Sequence, residues 1–313
     1  MASRRIYYLA KNFAYPLGGV RIIHHHVDLL VKNGYDAVVL LRQDEAQHFF
    51  RSQVPTMVAG RNMSITASDI FVVPEPWNDI LRGLASSPAR RIVFCQNHFY
   101  VPNGIARATD YAAFGVSTIL SCGDVIASAL RDIFGLKHVP VVHNAIDHTL
   151  FKPGAKRLQI AYMPRKMRKE SDYIRMSFKR RHPRFHAVPW VPIEMIQEAE
   201  VARILGESAI FLSLSHLEGV GLPPLEAMAS GCLVVGFGGG GGLEYATPQN
   251  GFWCRQDDLS GCADALARAC TLAHDDREAH AVRVAAGRST AGRYTLQRME
   301  RELLDFWRTE LAQ

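Results

Sequence analysis

Ser215-His216-Leu217-Glu218-Gly219-Val220-Gly221-Leu222-Pro223-Pro224-Leu225-Glu226-Ala227-Met228-Ala229-Ser230-Gly231 is the stretch from which the rest of the chain can be read. It follows the apolar run Ile210–Leu214, which predicts a buried strand. Gly219 and Gly221 allow close backbone approach and positive φ. Pro223 and Pro224 suit the first turn of a helix, where a missing N–H costs little. The pattern predicts a helix over Leu222–Ser230 whose N-terminus faces the loop, an end that favours anions through free amides and the helix dipole. Glu226, one turn in, can accept hydrogen bonds from vicinal hydroxyls. Glu218, eight residues earlier, can point into the same crevice. Two carboxylates flanking a glycine turn at a helix start suit a sugar–phosphate ligand.

Outward from this stretch, short apolar runs alternate with longer amphipathic ones. Arg5–Leu9, Ala37–Leu41, Asp69–Val73, Arg91–Cys95, Thr118–Ser121 and Val139–Val142 read as strands, with helices over Val20–Asn33 and Gly123–Phe134. The pattern restarts with strands at Leu158–Tyr162, His186–Pro189, Ala209–Leu214 and Leu233–Phe237. Helices are expected at Asp172–Arg181, Glu194–Leu205, Leu222–Ser230 and Leu259–Ala273. Continuously apolar strands alternating with helices predict parallel sheets covered on both faces. The expectation is two doubly wound α/β domains joined near Asn144–Pro153. The boundaries are 1–146 and 147–293, with a C-terminal helix over 294–313 that packs either back on the first domain or simply into a core. Leu296, Met299, Leu303, Leu304 and Trp307 give that helix one apolar face.

The 313 residues suffice for two cores, and the net charge is +6. The excess is local: twelve lysines and arginines lie between Lys152 and Arg184, against only Glu170 and Asp172. Such a block suits an anionic partner or a solvated helix face. The six cysteines form no C-x-x-C pair, so free thiols of a reducing cytoplasm are expected. The N-terminus, Met1-Ala2-Ser3-Arg4-Arg5, leads straight into a strand without a signal-peptide core. No apolar run reaches bilayer-spanning length. The expected location is cytoplasmic, with peripheral contact at an anionic inner leaflet. His24-His25-His26 lies in a helix-like segment, where consecutive side chains diverge, so no metal site is expected there.

The Ser215–Gly231 stretch resembles the E-x7-E motif of retaining GT-B glycosyltransferases, glycosyltransferase family 4 (glycosyl transferases group 1), with Val220 where Phe is usual. Gly239–Gly242 with Leu243-Glu244-Tyr245, then Asn250-Gly251, is similar to the family's following loop. Asn144-Ala145-Ile146-Asp147 with Phe151-Lys152-Pro153 resembles its N-G-I-D segment, with Ala145 for Gly. Pro16-Leu17-Gly18-Gly19 resembles its N-terminal glycine loop. The resemblance implies a GT-B fold, two Rossmann-like domains facing a central cleft. It implies transfer of a hexose-type sugar from a UDP-, GDP- or dTDP-sugar to a glycan or lipid-linked acceptor. Assembly of a bacterial surface polysaccharide such as lipopolysaccharide fits that activity. No metal or other cofactor is expected, and no nucleic acid partner.

By the same resemblance Glu226 binds the ribose hydroxyls and Glu218 the hydroxyls of the donor sugar. Gly219, Val220, Gly221 and Leu222 line the donor. Gly18 and Gly19 approach the diphosphate or the acceptor. Arg165 matches the family's diphosphate arginine, although Pro164 replaces the usual Gly before it. The partner lysine is Lys169 by spacing or Lys166 beside Arg165. His98, in Cys95-Gln96-Asn97-His98, sits where many members carry a catalytic His, and a structural His reads equally well there. Pro74-Glu75-Pro76-Trp77 ends the preceding strand and is a candidate acceptor-lining segment. Three other readings stay open: a catalytically degenerate scaffold, an NAD enzyme without a G-x-G-x-x-G after its first strand, and a nucleic-acid binder without a recognisable motif.

Overall fold

Most of the expected apolar runs form parallel strands that are largely buried. The computed structural model describes residues 4–11, 15–43, 49–60, 63–105, 108 and 110–312. Met1-Ala2-Ser3, the start of the segment read for a signal sequence, lies outside them. The chain divides into two units: residues up to Ala145 together with those from Gln297 onward, and Ile146–Leu296.

The first unit runs β1 (Ile6–Ala10), α1 (Gly18–Lys32), β2 (Ala37–Leu41), β3 (Thr56–Val58), β4 (Ile70–Pro74), α2 (Asn78–Gly83), β5 (Arg90–Cys95), α3 (Val101–Ile105), β6 (Val116–Ser121) and α4 (Asp124–Phe134). Its six parallel strands take the order β3-β2-β1-β4-β5-β6. Every residue of β1, β2 and β4 is buried, so helices must cover both faces. Val139–Val142, expected as a strand, is extended but makes one isolated bridge, Ser121 to Val141. Pro140 has no N–H to offer a ladder, and only its carbonyl is used, accepting from the Ser121 amide at 2.9 Å.

The second unit runs β7 (Arg157–Tyr162), α5 (Arg168–Arg181), β8 (Trp190–Pro192), α6 (Glu198–Glu207), β9 (Ser208–Glu218), α7 (Leu222–Ala229), β10 (Leu233–Gly240), β11 (Gly251–Cys254), α8 (Leu259–Asp275) and α9 (Arg277–Ala291). Its five parallel strands take the order β11-β10-β9-β7-β8. The strand expected at His186–Pro189 is displaced to Trp190–Pro192. Pro183 opens a 3-10 turn over Pro183–Phe185 and His186 stays in the helical region, so extension begins later. Helix α6 starts four residues later than expected because Met195 takes a positive φ of 50°. The core of this unit packs Ile174 and Phe178 of α5 with Ile210, Leu212, Val235 and Leu266.

The last helix, α10 (Leu296–Ala312), buries Met299, Leu303, Phe306 and Trp307. The Trp307 indole donates to the Tyr8 hydroxyl at 3.2 Å, and Thr118 Oγ1 donates to Glu310 at 2.9 Å, which joins the helix to the first unit. Among the described residues, no helix is long and apolar enough to cross a membrane. All six cysteines are free thiols.

Candidate functional site

In an open parallel sheet the strand order reverses direction at one point, and the crevice beyond the strand ends there is where ligands bind. In the second unit, counting β7 as its first strand, the order is 2-1-3-4-5, so the reversal falls between β7 and β9. The segment after β7 is the 3-10 turn Pro164–Lys166, and β9 ends on Glu218, followed by Gly219-Val220-Gly221. Lys166 Nζ bridges the two by donating to Glu218 Oε1 at 2.6 Å. Their side chains are 40% and 25% exposed, so the pair is water-accessible and contributes only ~0–1 kcal/mol to stability. Such a pair opens at little cost when a ligand competes for either partner.

Behind the pair stands α7. Gly221 caps it at φ +79°, a conformation a side chain would strain. Pro223 and Pro224 carry no N–H, so the amides of Leu222 and Leu225 and those of the preceding loop are what this end can donate. Glu226 lies in the second turn and is only 4% exposed. Gly241 passes so close to the Gly219 carbonyl that a Cβ there would sit 2.5 Å from it. The run Gly239–Gly242 therefore lies directly against the glycine turn.

Other side chains hold this geometry. The Tyr245 hydroxyl donates to the Gly221 carbonyl at 2.9 Å. Asn250 donates to the Tyr245 carbonyl at 2.7 Å and accepts from the Thr247 amide and the Trp253 indole, each at 2.9 Å. The Lys156 ammonium reaches in at the C-terminal end of α7, donating to the carbonyls of Leu205 and Ser208 at 2.9 Å and of Ser230 at 2.6 Å. Desolvation of the ammonium lowers its pKa. Nothing in the sequence separates Lys156 from the rest of the basic block, and the brace from Tyr245 joins residues 24 positions apart.

The remaining basic residues divide. Arg165 and Lys169 are exposed, Lys169 one residue into α5. Arg168, Arg181 and Arg184 pair with Glu194, Asp264 and Asp275.

In the first unit the reversal falls between β1 and β4. Gly18 and Gly19 open α1 after β1, with no side-chain cap from Leu17. Glu75 follows β4, and its carboxylate accepts the Gln96 amide at 3.2 Å. A Cβ on Gly19 would stand 3.2 Å from the Gln96 side-chain amide, so the start of α1 and the end of β5 are in contact. His98 begins a 3-10 turn that Asn97 caps by accepting the Phe99 amide at 3.1 Å. Burial lowers the His98 pKa, and its Nδ1 is buried without a partner among the described residues. His24 and His26 are core residues: His24 shares a hydrogen bond with Ser52 and His26 with Tyr8. Among the described residues no cluster of three His, Cys, Asp or Glu could hold a metal ion.

The family model for glycosyl transferases group 1 matches residues 193–289, which contain β9, the glycine turn and α7. An alpha-1,6-glucosyltransferase of Actinobacillus pleuropneumoniae serotype 7 (strain AP76) is 33% identical over 230 residues, covering 71% of this chain and 69% of that protein. The chain belongs to the group 1 glycosyltransferases.

Solved structures agree on the architecture. The sucrose-phosphate synthase of Thermosynechococcus elongatus superposes with a TM-score of 0.72 at 12% identity, covering 99% of each chain. Anabaena HepE in complex with UDP-glucose superposes with a TM-score of 0.71 at 13% identity, covering 97% of this chain and 99% of that one. The fold of this group 1 glycosyltransferase is therefore GT-B: two parallel-sheet α/β domains with a C-terminal helix.

Proposed function

We propose that this glycosyltransferase moves glucose from UDP-glucose to a hydroxyl of a glycan acceptor, with retention and without a required metal, forming an α-1,6 linkage. The observation that carries the reading is the Lys166–Glu218 pair across the reversal between β7 and β9, with buried Glu226 on the adjoining helix. The name of the 33% identical relative supports glucose and the linkage, and the ligand of HepE supports the nucleotide.

In this reading Glu226 accepts hydrogen bonds from the ribose hydroxyls. Glu218 turns from Lys166 to the hydroxyls of the glucose, and Lys166 is released toward the diphosphate. Arg165 and Lys169 add positive charge where negative charge develops. The C1–O bond to the diphosphate breaks, and its electron pair leaves with UDP. The acceptor oxygen attacks C1 from the same face, and its proton passes to the departing phosphate oxygen. The amides of Gly219, Val220, Gly221 and Leu222 meet the donor at its charged end. Gly18, Gly19 and His98 serve the acceptor side, His98 as a neutral imidazole.

Binding of UDP, GDP, dTDP and ADP to the wild type and to Glu226→Ala, with EDTA present, tests the donor site. Selective UDP binding that is lost in the variant is expected; equal binding by both proteins overturns the assignment of Glu226. The anomeric signal of the product tests the stereochemistry, and a β-linkage ends the retaining reading.

A further inference from the structure

In the first unit, the carboxyl of Glu75 is buried at the end of β4, only 4% exposed. A carboxylate out of water needs hydrogen bonds. Its partners are main-chain amides at the end of the neighbouring strand, Gln96 at 3.2 Å and Asn97 beside it. Those two residues set three things. The Gln96 side chain lies against Gly19 at the start of α1. The Gln96 carbonyl accepts from Cys122 Sγ at 3.7 Å. Asn97 caps the turn that begins with His98. The Glu75 backbone is itself fixed: its carbonyl accepts the Tyr111 hydroxyl at 2.7 Å and packs so closely on Gly104 that a Cβ there would sit 1.8 Å away.

We propose that Glu75 is a positioning residue for transfer, holding the Gln96–Asn97 turn so that His98 and the glycine start of α1 face the acceptor. The link to transfer rests on the function proposed above; the link from Glu75 to the turn does not. Burial raises the Glu75 pKa to about 7, against the pull of the main-chain amides of Gln96, Glu75 itself and Asn97, so the carboxyl titrates where enzymes are assayed. The titratable groups facing it are Cys95 on β5 and Tyr111, both held neutral by burial. Protonation removes charge from the oxygen pair that receives the amides, so the turn loosens as pH falls below about 7.

The test compares Glu75→Gln, which keeps an acceptor oxygen but cannot ionise, with Glu75→Leu, which keeps neither property. Amide exchange over 96–100 reads the positioning directly, UDP affinity reads the second unit, and kcat against pH joins the two. Glu75→Leu should exchange at least tenfold faster over 96–100 and lose at least tenfold in kcat with UDP affinity unchanged. Glu75→Gln, neutral like the protonated carboxyl, should exchange over 96–100 as the wild type does at low pH and hold kcat at that low level with no further fall near pH 7. Unchanged exchange in Glu75→Leu overturns the proposal, and so does an acid limb shared by the wild type and Glu75→Gln. A wild type that fails to bind UDP, with faster exchange in Glu75→Leu, upholds the positioning and rejects the donor reading alone.

Discussion

Each sheet of the protein ends a strand on a glutamate at its reversal point, and the two glutamates live in different media. Glu218 is the last residue of β9, partly exposed, with Lys166 as its counter-charge. Glu75 follows β4, buried, with main-chain amides as its partners. The same topological position thus gives an exchangeable ion pair in one unit and a fixed, proton-sensitive anchor in the other. Water decides the difference. A screened pair is cheap to break and suits a ligand that must come and go. A desolvated carboxyl holds its partners rigidly and lets its pKa move instead.

The largest effect should come from breaking the exchangeable side. Glu218→Ala should lower kcat on the order of 10²–10³-fold, the usual scale for losing one group that meets developing charge, with UDP affinity nearly unchanged. Steady-state kinetics and nucleotide binding check it. Lys166→Ala should also reduce kcat, since in this reading the released lysine is what the diphosphate receives.

The scaffold beneath that side rests on Lys156. Lys156→Met removes the ammonium donor from the carbonyls of Leu205, Ser208 and Ser230, of which the first two keep the Cys232 thiol. The expected cost is about 1–3 kcal/mol, the scale of one such group left unpaired. The urea midpoint of the second unit's transition measures it.

On the anchored side the effect is a pH dependence. The folded pKa of Glu75 is raised to about 7 from 4.5, so the fold binds that proton more tightly than the unfolded chain. Its contribution is complete below pH 4.5 and is lost as pH rises through about 7. His24 and His26 act in the opposite direction. Burial lowers them to about 4 and about 3 from 6.5, so their contribution is present above pH 6.5 and is lost as pH falls through those values. The Tm of Glu75→Gln should therefore exceed that of the wild type at pH 8 and approach it near pH 5. A constant difference across that range rejects the buried carboxyl as its source.

The smallest effect sharpens the comparison within the second unit. Tyr245→Phe removes the hydroxyl that braces Gly221 and should cost about 1 kcal/mol, the net worth of one hydrogen bond. A several-fold rise in the KM for the donor, with kcat little changed, is the expected reading of that loss.

Much of the second unit was legible because its determinants are local. Gly221 needs a positive φ where the turn needs it, two prolines begin a helix, and Glu226 follows one turn later. The first unit was harder. The end of its sheet at the reversal is assembled from Gly19, Glu75 and Gln96, joined through tertiary contacts that no spacing encodes. The expected strands at Val139–Val142 and His186–Pro189 failed for a related reason. Apolar content marks what will be buried, while Pro140 and Pro183 decide which backbone groups can join a ladder. Helix α9 gave little signal, since its buried residues are only Gly287 and Ala291.

By itself the sequence determined the alternation of apolar strands with amphipathic helices, the glycine turn and the carboxylates beside it, because propensity and periodicity are local properties of the chain. The tertiary structure alone decided the strand orders, and with them where each sheet reverses. It also decided that Lys166 meets Glu218, that the Lys156 ammonium meets the Ser230 carbonyl, and that Glu75 anchors a turn twenty-one residues away. Those outcomes depend on which groups lose water together, and desolvation belongs to the packed fold and not to any single stretch of sequence.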